Sequence, residues 1–340
     1  MLSRQALIAL SRAAKPLNTE AARWIESKKN CDRFAVNCLG LEVNDLKSET
    51  TKYEQKLTRF GIAVLTIVDS SYPKRLLDFS DAPFALYVRG DAELLNSPKT
   101  FSIVGTRKCS AYGLSTTERF TKVLADNGFV IVSGLALGID SCAHRSCVEA
   151  GGKTIAVLGN AIDKIYPPQN EALSGRIIKS GGIIVSQYPP GFKTEKYLFV
   201  YRNRIIAALG DYLLVSEAPE RSGALITAGY ANDLGRDVYA VPADISRPSA
   251  MGTNKLIATG AYCATSEGDL LEALGIRTLQ PKNICAKDQA IIDVIVNSDG
   301  SFDRILKCLE IDAVRLNIEL MRLEIEGLVK KDILGKYYRI

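Results

Sequence analysis

The sequence of 340 residues predicts an α/β protein built on a mostly parallel sheet with helices on both faces. Between residues 100 and 275, strand patterns and helical patterns alternate with little interruption. The strand patterns are near-continuous apolar runs, which is typical of strands buried on both faces. The segments before and after this region do not show this alternation of strands and helices. We therefore predict a small helical domain at 1–57, the sheet domain at 58–275 and a further domain at 286–340.

The composition supports a multidomain protein and limits its partners. Hydrophobic residues make up 47% of the chain and charged residues 24%, which suits two or three globular domains. The net charge of +5 is a mild excess, so any surface for nucleic acid must be local. No apolar run approaches the roughly 20 residues of a membrane span, so we expect no membrane association.

The cysteines and the single histidine predict that the protein is located in the reducing cytoplasm and that it holds no structural zinc. Eight cysteines are scattered without a CxxC pair, and the chain has one histidine. The first 17 residues are basic and could suggest a targeting peptide. Their apolar block is short and interrupted, and no cleavage-site pattern follows, so we interpret them as a first helix.

Helices are predicted before the sheet domain, which then opens with two strands. Two sets of apolar residues are spaced for one face of a helix, namely Leu7, Ile8, Leu10 and Ala14, and then Ala21, Trp24 and Ile25. Strand patterns follow at 61–66 and 84–88.

Further strands define the sheet and the edge where a ligand would bind. They are predicted at 101–105, 129–133, 154–158, 182–187, 212–216 and 237–241. Ligands of such sheets lie at the carboxyl ends of the strands. Small residues, amides and cations, with few carboxylates, follow these strands at 105–108, 133–136, 159–160, 187–191 and 217–222. This edge therefore favours an anionic ligand.

Residues 211–234 form the strand–turn–helix unit around which the chain is organised. An apolar run and a polar turn lead into a helix that starts with Arg221, Ser222 and Gly223. Unpaired N–H groups at such a start attract phosphate. Ser222 can cap the helix, and Gly223 permits close approach of a ligand. Because no side chain here resembles a nucleophile or a general base, the unit predicts phosphate binding without catalysis.

The segment KYLFVYRNR at 196–204 combines cations with aromatic residues. This mixture suits single-stranded nucleic acid, because cations track phosphates and an exposed ring stacks on a base. The alternative is a helix start whose rings belong to the core and whose arginines are solvated. Composition alone does not separate the two interpretations, but the anion-binding turns on the same edge favour nucleic acid.

Two motifs that suggest catalysis have simpler explanations. The GKT at 152–154 resembles the end of a Walker A loop, but Cys147 stands where the first glycine belongs. The segment also runs from helix into strand, which is the wrong order. His144 lies near Cys142, but residues two apart on a helix point in different directions. We interpret His144 as structural or ligand-lining and expect no ATP hydrolysis at 152–154.

The last segment, 286–340, predicts three helices and a terminal hairpin. The helices are expected around 290–295, 302–306 and 311–326, and the strands at 327–331 and 336–339. This order is typical of a winged helix. The long helix carries charges of both signs, so two functions stay open for this domain. It could bind duplex DNA through Lys330, Lys331 and Lys336, or it could contact a protein.

Several ordered motifs resemble the DNA-processing protein A family (DprA, also called Smf). They are SIVGTRKCSAYG (102–113), VSGLALGIDSCAHR (132–145), GGKTIAVLGNAIDKIYPPQN (151–170), YRNRIIAAL (201–209), ERSGALITA (220–228), VYAVPADI (238–245) and GTNKLIATGA (252–261). The resemblance covers about 58–275. Residues 286–340 resemble the winged-helix module at the family's C-terminus, while the first 57 residues match weakly.

The resemblance implies an extended Rossmann fold that binds single-stranded DNA without sequence preference. It also implies a homodimer that protects incoming DNA and loads RecA recombinase onto it in natural transformation or recombination. Such a protein is not an enzyme and needs no cofactor and no metal.

The resemblance also implies the residues that bind DNA. Arg107 should contact a phosphate, Lys196 should bind the backbone, and Phe199 should stack on a base. Residues 202–204 should order the adjoining loop or reach phosphate, and 222–223 should offer hydrogen bonds at the helix start. The predicted DNA-binding set is Gly105, Arg107, Lys108, Ser133, Gly134, Lys196, Phe199, Arg202, Asn203, Arg204, Arg221, Ser222, Gly223 and Asn254.

Two points qualify this interpretation. The family usually has a basic residue where Leu137 stands, so one contact should be weaker. The rival function is a nucleotide-binding or nucleotide-hydrolysing enzyme on a related fold. Its PGGxGT-type loop and catalytic glutamate are absent. Glu217 and Glu220 could stand in, although Arg221 suggests that one of them is a paired structural carboxylate.

Overall fold

The computed structural model describes residues 3–12, 45–78, 81–276, 286–309, 311–325, 328–332 and 335–339. The chain divides into two compact units, Met1–Leu274 and Gly275–Ile340. No helix within the described residues is long and apolar enough to cross a membrane.

The first unit contains nine strands and nine helices among its described residues. The strands are β1 (Ile62–Thr66), β2 (Ala85–Arg89), β3 (Thr100–Val104), β4 (Val130–Ser133), β5 (Thr154–Leu158), β6 (Ile183–Ser186), β7 (Tyr212–Val215), β8 (Asp237–Ala240) and β9 (Tyr262–Cys263). The helices are α1 (Arg4–Ser11), α2 (Leu46–Arg59), α3 (Ala111–Asp126), α4 (Ile139–Glu149), α5 (Glu171–Lys179), α6 (Lys196–Leu209), α7 (Gly223–Asp233), α8 (Met251–Ala258) and α9 (Glu267–Ala273). Short 3₁₀ segments lie at Lys74–Asp78, Ala92–Asn96, Pro168–Asn170 and Pro248–Ala250.

The nine strands form one sheet in the order β1-β2-β6-β5-β4-β3-β7-β8-β9. From β6 to β9 all neighbours are parallel, while β2 pairs antiparallel with both β1 and β6. The predicted mostly parallel sheet is therefore confirmed. The short edge strand β9 was not predicted.

Both faces of the sheet are buried, as the apolar strand patterns predicted. In β5, Ile155 and Val157 pack in a cluster with α6 and α7, while Ala156 and Leu158 pack in a second cluster with α5. Successive side chains of a strand point to opposite faces, so a strand that is apolar throughout needs helices on each side. The sheet is therefore covered by helices on both faces.

The strand order reverses direction between β3 and β7. The chain moves outward from β3 through β4, β5 and β6, and then returns to place β7 on the other side of β3. The two strands pair in parallel, with Phe101 opposite Tyr212 and Val104 opposite Val215. Loops that leave such a pair diverge to opposite faces and open a crevice at the carboxyl ends. The candidate site lies there.

The described part of the first 57 residues packs onto the sheet. Ile8 of α1 and Leu57 of α2 join the cluster that contains Ile62 and Tyr87. Arg4 donates to Asp69 at 3.0 Å and to Glu54 at 2.6 Å, which ties α1 to the start of the sheet. The first predicted helix is found. The second predicted face, with Trp24, lies outside the described residues, and a separate domain at 1–57 stays a prediction.

The second unit contains three described helices and a hairpin. They are α10 (Ala286–Asn297), α11 (Phe302–Leu309), α12 (Ala313–Ile325), β10 (Val329–Lys331) and β11 (Tyr337–Arg339). The two strands are antiparallel, and Val329 and Tyr337 complete a core with Leu316 and Leu320 of α12. These are the predicted elements in the predicted order. Their role as a winged helix that binds DNA stays a prediction.

Candidate nucleic-acid interface

A cleft of ≈ 520 Å³ opens at the carboxyl ends of β3 and β7. Most of its lining comes from three segments: the β3–α3 loop, the start of α7 and one side of α6. From the predicted set, the cleft is lined by Gly105, Arg107, Lys108, Phe199, Arg202, Asn203, Arg221, Ser222 and Gly223. The structure therefore brings together residues from three separate motifs.

The β3–α3 loop presents two exposed cations, Arg107 and Lys108. Neither side chain is paired with another described residue. Gly105 begins the loop, and a Cβ there would lie 2.5 Å from the side chain of Ile139 and 2.9 Å from the Glu217 carbonyl oxygen. Only glycine therefore fits where the loop leaves the strand. The two cations are free to bind an anion in the cleft.

The start of α7 has the geometry of an anion-binding helix terminus. The Ser222 hydroxyl accepts a hydrogen bond from the Ala224 N–H at 3.2 Å and caps the helix, as predicted. Gly223 is exposed, and a Cβ there would meet nothing closer than Asn203 Nδ2 at 3.7 Å. Arg221 is exposed, and its side chain pairs with no described residue. The partial positive charge of the helix N-terminus and the free guanidinium group of Arg221 thus both face the cleft.

Helix α6 contributes a ring and an amide to the opposite wall. Phe199 is partly exposed and lines the cleft. The Asn203 side chain donates to the Gly223 carbonyl at 3.2 Å and joins α6 to the start of α7. Lys196 lies at the exposed start of α6, unpaired within the described part of the chain, and does not line the cleft.

Arg202 is a buried structural cation at the base of the cleft. Its side chain is 3% exposed and donates to the carbonyl groups of Gly134, at 2.8 Å, and Val157. Burial lowers the pKa of Arg202 to about 10, which leaves it charged at neutral pH. The Gly134 N–H donates to Asp140 at 3.1 Å, so neither backbone group of Gly134 is free for a ligand. Burial raises the pKa of Asp140 above its usual value.

Five residues of the predicted set do not line the cleft: Lys196 and Gly134, described above, and also Ser133, Arg204 and Asn254. Ser133 is fully buried, and its hydroxyl donates to the Ile103 carbonyl at 2.6 Å, because it ends a strand between two neighbours. Arg204 is buried, and it donates to Asp81 at 3.2 Å and to Gln187 at 2.9 Å. Asn254 bonds both backbone groups of Ala243, at 3.1 and 2.9 Å. These side chains order loops, and their assignment as DNA contacts is corrected.

The expected pairing of Arg221 with a carboxylate is also wrong. Glu220 pairs with Lys255 at 3.3 Å. Glu217 is buried and accepts from the N–H and hydroxyl of Ser110, at 2.9 and 3.1 Å. Arg221 therefore keeps its charge free for the cleft.

The sequence interpretation missed Tyr166. Its ring is 47% exposed and lies 5.2 Å from the ring of Phe199, centroid to centroid. Both rings line a second pocket of ≈ 80 Å³ beside the cleft, together with Leu137 and Arg107. Tyr166 stands within one of the family-like motifs, but periodicity does not show that it meets α6.

The arrangement can hold a phosphorylated, ring-containing ligand. It offers free guanidinium and ammonium groups for phosphates, a glycine-bounded helix start, and exposed aromatic faces for bases. The fold and the site define a doubly wound α/β protein with an anion-binding crevice at its switch point.

Comparison with known families assigns the chain more closely. Residues 63–275 match the family described as DNA recombination-mediator protein A, and the chain belongs to that family. Protein Smf from Synechocystis is 44% identical over 227 residues, which cover 66% of this chain and 56% of that protein. The chain thus spans little more than half of that relative's length. The resemblance to the DprA/Smf family is confirmed.

Two solved structures agree with this assignment. DNA processing protein A from Streptococcus pneumoniae has a TM-score of 0.65 and 32% identity, with 80% of this chain and 98% of that chain covered. DNA processing protein A from Helicobacter pylori, solved for its single-stranded DNA binding mode, has a TM-score of 0.57 and 31% identity. The match covers 63% of this chain and 95% of that one.

Proposed function

We propose that this protein binds single-stranded DNA without sequence preference through the cleft at the carboxyl ends of β3 and β7. The observation that carries the proposal is the set of unpaired, exposed cations, Arg107, Lys108 and Arg221, around a cleft that also exposes the ring of Phe199. Cations bind phosphates of any sequence, and a ring stacks on any base. The DNA-binding role of a similar Helicobacter pylori protein supports the proposal.

We further propose that the bound strand is handed to RecA recombinase by a homodimer of this protein in the cytoplasm, during transformation or recombination. The family description as a recombination mediator supports this role. A mediator holds DNA and releases it unchanged, so the cleft needs contacts to phosphate and base and no reactive group. Catalysis is therefore not part of the proposal.

The test is a fluorescence-anisotropy titration of the full chain with a labelled oligo-dT strand and with a matched duplex, at two salt concentrations. We expect tighter binding to the single strand and a loss of affinity as salt rises, because bound phosphates release counterions. Equal, weak binding to both would contradict the proposal. Release of free base from nucleoside monophosphates would support the rival enzyme instead.

The C-terminal unit has fewer free cations for duplex DNA than its sequence suggested. Lys336 pairs with Asp299 at 3.7 Å, and the Lys331 ammonium lies over the ring of Tyr337 at 5.3 Å. Lys330 is exposed. If this unit binds duplex, Lys330→Ala should weaken the full chain's duplex binding. Unchanged binding would favour a contact with a protein.

A further inference from the structure

Glu217 is an acidic residue that lies buried behind the cations of the cleft, in addition to Asp140 at its base. Its side chain is 1% exposed and stands where β7 leads into the turn before α7. An ionised carboxylate is costly to bury without partners, and a negative charge behind an anion site opposes phosphate binding. Its position therefore needs a compensating role.

The hydrogen bonds of Glu217 join it to both ends of the loop that carries Arg107 and Lys108. Its backbone carbonyl accepts from the Thr106 N–H at 2.7 Å. Its carboxylate Oε2 accepts from the N–H and the hydroxyl of Ser110, at 2.9 and 3.1 Å. The two exposed cations thus lie between Thr106 and Ser110, which both form hydrogen bonds with Glu217.

The same carboxylate also orders the start of α3. The Gly113 N–H donates to the Ser110 hydroxyl at 3.1 Å, and that hydroxyl donates its own proton to Glu217. A Cβ at Gly113 would collide with Glu217 Oε2. The N-terminal cap of α3 and the β3–α3 loop are therefore held by one acceptor.

We propose that Glu217 is a positioning residue that fixes the Arg107–Lys108 loop relative to the phosphate-binding start of α7; this rests on the proposed function of the cleft. Glu217 belongs to the strand end that continues to Ser222, and it bonds the loop that leaves β3. It therefore sets the spacing between two anion-binding segments on neighbouring strands. A DNA strand whose phosphates match that spacing can contact both segments, and the loop does not have to be reordered on binding.

The test compares Glu217→Ala with Glu217→Gln in the anisotropy assay with oligo-dT. Both substitutions remove the negative charge, but glutamine keeps an acceptor for Ser110. We expect Glu217→Ala to weaken binding and Glu217→Gln to restore most of the affinity. If the residue acted only through its charge, both variants would bind more tightly than the wild type. That result would overturn the proposal.

A mutant cycle with the double variant Arg107→Ala/Lys108→Ala separates positioning from general destabilisation. The loss in Glu217→Ala should be no larger than that of the double variant, which is roughly tenfold or more because one charged hydrogen bond to phosphate already contributes that much. In the background without both cations, Glu217→Ala should cost little more, because the groups it positions are gone. Additive losses, or a folded Glu217→Ala variant with wild-type affinity, would overturn the proposal.

Ser110 provides a milder pair of variants if Glu217→Ala does not fold. Ser110→Ala removes one of the two donors to the carboxylate, while Ser110→Thr keeps the hydroxyl. We expect weaker binding for alanine than for threonine, and no difference between them once Arg107 and Lys108 are both alanine. Equal affinity of the two would overturn the proposal. Wild-type protein that binds no single strand would instead refute the function of the cleft itself.

Discussion

The rings of Tyr166 and Phe199 lie 5.2 Å apart at an angle of 46°, although 33 positions separate them in the chain. Tyr166 follows β5, and Phe199 lies in the first turns of α6. Phe199 also fills the space above Gly159, where a Cβ would lie 2.7 Å from its ring. The tilted pair leaves ring surface exposed at the mouth of the cleft. This surface can stack on an unpaired base.

Replacement of Phe199 by alanine should weaken binding to oligo-dT. Stacking of a base on an aromatic side chain contributes ~1–3 kcal/mol, so we expect a loss of about 5- to 150-fold. Because every base has an aromatic face, the loss should be similar for oligo-dT and oligo-dA. Anisotropy titrations with both strands measure it.

Phe192 provides the matched control for this substitution. Its ring is stacked on Tyr188 at 4.8 Å, and Phe192 does not line the cleft. Phe192→Ala therefore removes a ring of the same kind from outside the site and should leave the affinity unchanged. Equal losses in the two variants would contradict stacking on Phe199.

Arg107→Ala should flatten the salt dependence of binding. Each phosphate contact to a single strand contributes about 0.7 to the slope of log K against log salt concentration. Loss of one contact should reduce the slope by about that amount and weaken binding most at low salt. Titrations at four or more salt concentrations give the slope.

Arg176→Ala removes the same charge at the opposite edge of the sheet. Arg176 of α5 pairs with Glu149, the last residue of α4, at 3.1 Å. An effect of net charge alone would change both slopes equally. A contact in the cleft requires that only the Arg107 variant changes.

The strands could be predicted from sequence because their burial is encoded locally. An apolar run bounded by polar turns placed both β7 and β3 to within one residue of their observed bounds. Strand β9 has only two residues, which is too short to give a strand pattern. Such local patterns could not predict that β3 and β7 are neighbours. The pairing joins Phe101 to Tyr212, and β4, β5 and β6 lie between these residues in the sequence.

The candidate site was predictable where function depends on the residue that follows a strand. Arg107 was found in this way, whereas Gly223 was found as the residue after a predicted helix cap. Arg204 was misassigned because its partner, Asp81, is far away in sequence, and composition does not show which arginine is neutralised. Ser133 was misassigned because the last residue of a central strand still lies between its neighbours. Whether these residues face the cleft depends on the direction of their side chains, which their position in the sequence does not show.

Gly223→Ala should weaken DNA binding without loss of stability. The nearest atom to the added methyl group would be Asn203 Nδ2 at 3.7 Å, which is an ordinary contact. The methyl group would stand at the start of α7 and keep a phosphate from its N–H groups. Loss of a hydrogen bond to a charged group costs ~1.5–3 kcal/mol, so we expect at least about tenfold weaker binding.

Gly229→Ala is the control within the same helix. Gly229 is exposed, and an added Cβ would have no neighbour within 4 Å. Alanine should raise the free energy of unfolding by about 0.5–1 kcal/mol through helix propensity and leave binding unchanged. If both variants bind as the wild type does, the start of α7 does not contact the strand.

His144 is a neutral structural side chain rather than a ligand-binding one. Its Nδ1 lies 2.7 Å from the Thr154 hydroxyl, and that hydroxyl donates to the Ile131 carbonyl at 2.7 Å. The imidazole is therefore the donor of the first bond. Its Nε2 is buried and finds no partner among the described residues. The Ser133 backbone favours the protonated ring, but burial outweighs this contact.

Burial, together with the positive charge of Arg202, lowers the pKa of His144 to about 3. In the unfolded chain a histidine titrates near pH ~6.5. Between these values the unfolded state binds the extra proton, so the free energy of unfolding is fully retained above pH ~6.5 and falls as the pH is lowered. We expect it to be about 2 kcal/mol lower at pH 5 than at pH 7.5, as measured by urea denaturation.

The chain has one histidine, so His144→Asn isolates this effect. Asparagine can still donate to Thr154 but does not titrate. The variant should lose stability at pH 7.5 through its smaller volume, and its free energy of unfolding should be nearly constant down to pH 5. Carboxylates do not replace the lost slope, because in unfolded chains they titrate mainly below pH ~5. The raised pKa of buried Asp140 acts in the opposite direction, because the folded state then binds the extra proton. A variant that keeps the wild-type slope would show that another group controls the acid sensitivity of the fold.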